Sequence, residues 1–212
     1  MPDYCPVAPT DHAVAYLKAT ATLARGIDPG QVDELARALA GVRDRGGRLF
    51  ILGVGGGAGH ASHAVNDFRK LCGLESYAPT DNVSELTART NDDSWESSFS
   101  AWLAVSRLRS EDALLVFSVG GGSREHNVST NLVSAMEAAR EAGAAIYGVV
   151  GAPGGALAEM GDVVVAIDPP ADLRTPLVES LQAVVWHGLV SHPELALKAG
   201  HWETLAARSG SS

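Results

Sequence analysis

The chain is poor in the features that mark exported, membrane-bound or nucleic-acid-binding proteins. Its 212 residues include two cysteines, Cys5 and Cys72, too few for a disulfide framework and not in a Cys-x-x-Cys pattern, which fits a reducing cytoplasm. Positive charge is also scarce. Sixteen Lys and Arg stand against 25 Asp and Glu, a net charge of −9. Non-specific binding to nucleic acid or an anionic membrane draws its affinity from Lys and Arg, so neither partner is expected. An anionic small ligand would have to be held by local N–H donors. No apolar run approaches the roughly 20 residues that span a bilayer, and Met1 to Pro9 carries no signal-peptide pattern, so the expectation is a soluble, unexported protein. A Gly-Lys-Ser/Thr step is also missing after every glycine-rich turn, which disfavours a nucleoside-triphosphate P-loop.

What the chain does have is a repeated strand-to-loop design. The apolar run Arg48 to Leu52 leads into Gly53-Val54-Gly55-Gly56-Gly57 and then a helix bearing His60, His63 and Asp67. The run Leu114 to Ser118 leads into Val119-Gly120-Gly121-Gly122-Ser123, with the same Val-Gly-Gly-Gly at 119–122 as at 54–57. Glycine lets backbone approach a ligand closely, and the N–H groups of a helix start suit a phosphate. Two such loops can grip one phosphate or the two ends of one ligand. As tight turns alone they would need no ligand.

The periodicity predicts amphipathic helices over 11–25 and 31–44, separated by Asp28-Pro29-Gly30. They either form an arm that packs on a partner subunit or cover the sheet that follows. A strand at 48–53 and a helix to about Leu71 come next. A short helix with Asn82 or Ser84 as N-cap ends near Asn91-Asp92-Asp93, and another runs from Trp95 to Leu108. From Ala113 strands and helices alternate: strand 113–118, helix 130–142, strand 145–150, a short helix, strand 162–167. A final apolar helix, Val178 to Val190, embeds Glu179, Gln182 and His187. This order predicts one α/β domain over 1–212, a three-layer α/β/α sandwich around a parallel sheet. Residues 10–46 form its helical N-terminal segment, 47–193 the core and 200–212 a frayed tail.

In such a sheet the ligand belongs at the carboxyl ends of the strands, where both glycine loops fall. His63 and Asp67, four apart on a helix, share a face and can hold one metal or act as a proton-transfer pair. Glu179 and His187 are a second candidate set, though eight residues of helix rise about 12 Å, so both reach one ion only if the Glu side chain leans in. Each of these residues also has an ordinary structural use, as an exposed helix pair or a core histidine. Gly53-x-Gly55-x-x-Ala58 matches the loose dinucleotide fingerprint, with Glu75 at the spacing of a ribose-binding acid.

Taken together, the two loops, the His63 helix, the Thr80-Asp81 and Asn91-Asp92 turns, the serine-bracketed second loop and the His187 helix resemble the sugar isomerase (SIS) domain family, in particular its phosphoheptose isomerases, over residues 10–193. The resemblance implies a SIS fold of flavodoxin-like or Rossmann-like type and a cytoplasmic homotetramer with active sites at subunit interfaces. It also implies conversion of sedoheptulose 7-phosphate to D-glycero-D-manno-heptose 7-phosphate through a cis-enediol, feeding nucleotide-activated heptose synthesis, and a zinc or other divalent ion in each site. By this resemblance His63, Asp67, Glu179 and His187 are the metal set, and His187 with Asp67 or Glu179 moves the proton. Gly55, Gly56, Gly57, Ser118, Gly120, Gly121, Gly122 and Ser123 hold the phosphate, and Asp92, with Asp81 as a further candidate, holds sugar hydroxyls. Two of the four metal positions depart from the family, which has Glu where Asp67 stands and Gln where Glu179 stands. Gly57 and Gly120 replace loop serines. Some relatives of this fold are non-catalytic sugar-phosphate sensors or protein-partner modules, and that reading competes with the enzyme.

Overall fold

A computed structural model describes residues 9–197. Cys5 and the 200–212 tail lie outside the described residues. Five strands, β1 (Leu49–Gly53), β2 (Ser76–Tyr77), β3 (Ala113–Ser118), β4 (Ala145–Gly151) and β5 (Val163–Ile167), form one sheet in the order β2-β1-β3-β4-β5. Every pairing is parallel. The helices are α1 (Pro9–Gly26), α2 (Pro29–Asp44), α3 (Gly56–Cys72), α4 (Val83–Asp92), α5 (Ser98–Val105), α6 (Thr130–Ala142), α7 (Gly155–Met160) and α8 (Arg174–Val190).

Alternation along buried strands divides the core in two. Leu49, Ile51, Leu115, Phe117 and Val149 face one layer, where Leu35 and Leu39 of α2, Ala64 and Phe68 of α3, and Leu181 and Trp186 of α8 pack. Phe50, Leu52, Leu114, Val116 and Ile146 face the other, against Phe99 and Leu103 of α5, Met136 of α6 and Leu157 of α7. The three-layer sandwich is therefore as expected. The two N-terminal helices part company. α2, capped by the Asp28 carboxylate on Gly30 N–H, buries Leu35, Ala36, Leu39, Ala40 and Val42 and is a core helix. α1 leaves Val14 and Leu17 about two-thirds exposed and meets the body through Leu23, packed on the core, and Tyr16, whose hydroxyl bonds to Pro176 O and Ser180 Oγ.

One strand and two helix boundaries differ from the periodicity. β2 has only two residues and no pattern to announce it. α5 covers Ser98–Val105, because Ser94 and Ser97 bond to each other in a turn ahead of it and Arg107 takes a left-handed conformation after it. The last helix begins at Arg174, before Val178, with Pro176 in its first turn.

The chain passes from β1 outward to β2 and then back across to β3, so the sheet's switch point lies between β1 and β3. Both glycine loops leave the sheet at that point, where an open parallel sheet opens a crevice. The opposite edge is tied by Asp112, fully buried, whose carboxylate accepts from Arg48 N, Nε and Nη2 and from Arg109 N. Glu75 belongs to that far edge: Ser76 pairs with Leu49 at the start of β1, and Glu75 receives the Tyr77 hydroxyl. Four residues of strand, about 13 Å, separate it from the first loop, so it does not meet a ribose there.

Candidate active site

The second loop is a rigid turn. Gly121 and Gly122 take left-handed conformations (φ 79° and 83°), and a Cβ on Gly121 would run into the Gly154 carbonyl oxygen. Ser118 Oγ accepts from Gly121 N at 2.9 Å, which closes the turn and leaves the hydroxyl hydrogen free to donate. α7 starts against the far side of the loop, with Ala156 N and Leu157 N donating to Gly122 O and Gly121 O.

A pocket of about 340 Å³ opens beside the loop, lined by Gly57, Phe117, Ser118, Gly120, Ser129 and Gln182 among others, with no Lys or Arg among the described residues in its wall. Of the loop residues proposed for phosphate, Gly57, Ser118 and Gly120 are brought together in its wall. Gly122 and Ser123 are not: they line a neighbouring cleft with Arg124 and Glu137. Ser123 Oγ accepts from His126 N, and Ser123 makes an antiparallel bridge to Val128. The two left-handed glycines between Ser118 and Ser123 turn the serines to different sides.

The glycines at 57 and 120 have different causes. A Cβ on Gly57 would stand 2.6 Å from Phe117 O, so the close packing of α3 on β3 requires glycine. A Cβ on Gly120 meets nothing within 4 Å. Gly57→Ser is therefore expected to cost about 1–3 kcal/mol through overpacking. That lowers the melting temperature by roughly 2–4 °C per kcal/mol for a chain of this size. Gly120→Ser leaves the melt unchanged within about 2 °C. Thermal melts of the two variants check the pair.

α3 and α8 run side by side from this end of the sheet, and their facing side chains make the second half of the site. His63 Nε2 lies 3.7 Å from Asp67 Oδ2, and the His63 and His187 rings are 5.4 Å apart. His63, Asp67 and His187 each offer a donor atom within 4.8 Å of the other two. Trp186, buried under them, sets the floor, 4.7 Å from the His63 ring. His187 Nδ1 is 2.7 Å from Ala183 O; a carbonyl can only accept, so Nδ1 carries the hydrogen and Nε2 is the ring nitrogen left for another partner.

Glu179 is not part of this trio. Its carboxylate lies over the first loop: a Cβ on Gly56 would meet Glu179 Oε2 at 2.5 Å and Oε1 at 2.6 Å. Gly55, at φ 60°, is the N-cap of α3. His60, unassigned from the sequence, sits between the two parts of the site. Burial pushes its imidazole below the usual histidine range, and the Glu179 backbone carbonyl and carboxylate oppose this without reversing it. The neighbouring His63 and His187 push it further down. Asp92 is exposed at the end of α4, bonded to Asn91 Nδ2, and is not in the pocket wall. Asp81 accepts from Ser62 Oγ at 2.5 Å, tying its turn to α3.

Gln182 and Ser129 were not singled out as pocket residues by the sequence. Gln182 is fully buried and donates through Nε2 to Ser118 O and Val149 O, fastening α8 to the ends of β3 and β4. Its place one turn after Glu179 on α8 was the available signal. Ser129 is left-handed (φ 47°) at the start of α6.

Residues 15–151 match the SIS domain family model. The lincomycin biosynthesis protein LmbN of Streptomyces lincolnensis is 37% identical over 155 residues, 69% of this chain and 56% of that protein. The chain thus spans little more than half of that relative. Phosphoheptose isomerase of Rhodospirillum rubrum is 32% identical over 157 residues, covering 72% of this chain and 78% of its own length. Among solved structures, phosphoheptose isomerase from Neisseria gonorrhoeae superposes with a TM-score of 0.76 at 23% identity, over 86% of this chain and 98% of that one. The fold, the paired loops at the switch point and these similarities agree: the chain belongs to the SIS domain family and is similar to its phosphoheptose isomerases.

Proposed function

We propose that this chain is an aldose–ketose isomerase that converts sedoheptulose 7-phosphate to D-glycero-D-manno-heptose 7-phosphate, supplying nucleotide-activated heptose synthesis. The observation that carries the reading is the convergence of His63, Asp67 and His187 beside a glycine-loop pocket. Exchange between the two sugars moves a proton between C1 and C2 through a cis-enediol, which requires a base at those carbons and an acid at their oxygens. His187, with its Nε2 free, and a carboxylate provide such a pair. Asp67 is the carboxylate inside the trio and Glu179 the one above the first loop. From Gly57 at the pocket to His63 the helix rises about 9 Å, a separation that a long sugar chain bridges and a triose does not.

Two imidazoles and a carboxylate fit zinc or another divalent ion, with one position left open, and the Nδ1 bond of His187 to Ala183 O fixes the ring as a ligand-orienting contact does. His63, Asp67 and His187 would hold it through His187 Nε2, and in that metal-bound state Glu179, away from the trio over Gly56, is the carboxylate left to act as base. Such an ion supplies Lewis-acid polarisation of the sugar oxygens. Zinc at about 100 times its dissociation constant is expected to stabilise the protein by about 2.7 kcal/mol. A thermal-shift titration reads this as a rise of several degrees that His63→Ala removes.

A homotetramer with interfacial active sites belongs to the same proposal. Val14 and Leu17 on α1 and Val184 on the adjoining α8 offer the exposed apolar surface for it. Asp92 is proposed to meet substrate hydroxyls from α4. Incubation with sedoheptulose 7-phosphate, followed by NMR for an aldose 7-phosphate, tests the function. No product with or without added zinc would favour the non-catalytic sugar-phosphate-binding module.

A further inference from the structure

Two glycine loops at neighbouring strand ends are able to hold two anionic groups, one each. The structure makes them unequal. The open pocket is lined by Ser118 and Gly120 of the second loop and reaches Val54 and Gly57 of the first, whereas the Glu179 carboxylate covers the first loop's helix start at Gly56. A helix start attracts negative charge, and here the chain itself provides it.

We propose that Glu179 is a specificity-determining residue that closes the first glycine loop to phosphate, so that the site accepts sugar monophosphates and rejects sugar bisphosphates. The inference rests on the second-loop pocket being the phosphosugar site. A carboxylate accepts hydrogen bonds from sugar hydroxyls, which suits the uncharged part of a monophosphate. A second phosphate brought to the same loop meets a like charge, and no Lys or Arg among the described residues lines the pocket to offset it. The amide of a glutamine at this position has the same shape and no charge. The selectivity is therefore a property of one oxygen-for-nitrogen difference in the side chain at 179.

The test is calorimetric binding of sedoheptulose 7-phosphate and sedoheptulose 1,7-bisphosphate at fixed ionic strength, to wild type, Glu179→Gln and Asp67→Asn. Wild type is expected to bind the monophosphate at least about 100-fold more tightly than the bisphosphate. Glu179→Gln should narrow that ratio at least tenfold through gain of bisphosphate binding, and Asp67→Asn should not. Equal affinity of wild type for the two sugars overturns the inference and leaves the phosphosugar site standing. A ratio narrowed as much by Asp67→Asn as by Glu179→Gln also overturns it, because the discrimination would then come from the general negative field. Binding of neither sugar to wild type overturns the inference together with the site it rests on. A wild-type ratio that Glu179→Gln leaves unchanged overturns it as well, and Glu179→Ala in the same comparison decides if the glutamine variant does not fold.

Discussion

Replacement of His187 by Ala is expected to lower isomerisation of sedoheptulose 7-phosphate by about 10²- to 10⁴-fold, the usual contribution of a positioned acid or base. The fold should survive, because the His187 ring lies on the exposed side of α8 and its removal opens no core cavity. Wild-type turnover with an unchanged melt would defeat the assignment. The carboxylate partner follows from the same assay. If Asp67, in reach of both histidines, is the base, Asp67→Asn loses activity to a similar degree and Glu179→Gln loses less. The opposite order assigns the base to Glu179 over the first loop. Measuring kcat and KM separately distinguishes a lost proton-transfer group, seen in kcat, from a lost binding contact, seen in KM.

The largest stability effect is expected far from the site. Asp112→Ala removes a fully buried carboxylate that accepts three bonds from Arg48 and one from Arg109, and should destabilise the protein by about 3–5 kcal/mol. Urea or thermal unfolding measures this. The ion pair also sets a pH dependence. Burial raises the Asp112 carboxyl, but the Arg48 guanidinium and the backbone N–H groups outweigh it and hold it below the usual carboxylate range. With the folded value below the unfolded one of about 3.9, the contribution is fully present above the unfolded value. It is lost as the pH falls through the folded value. An Asp112→Asn variant should therefore show a shallower acid limb than wild type.

Local chemistry and periodicity carried most of the fold in the sequence. Buried runs at 113–118 and 145–150, each followed by a glycine turn, specify strands in a parallel sheet with little ambiguity. β2 was illegible because two residues have no period. Within the site, His63 and Asp67 were legible as a pair because four residues bring two side chains to one face of a helix. Their meeting with His187 depends on α3 and α8 packing side by side, which no spacing encodes. The same packing sets Glu179 on Gly56, away from the trio. Ser118 and Ser123 look equivalent as brackets of one loop, yet Gly121 and Gly122 send them to different clefts. Gly57 looks like a lost serine until the Phe117 carbonyl is seen against it.

Enediol chemistry at the His63, Asp67 and His187 trio can be followed directly. Incubating the protein with sedoheptulose 7-phosphate in deuterated water, with and without zinc, and following the C1 and C2 protons by NMR tests it most directly. The account predicts deuterium at C1 or C2 even where net conversion is small, and its loss in His187→Ala. Absence of exchange under both conditions would exclude enediol chemistry on this sugar and favour the non-catalytic SIS module.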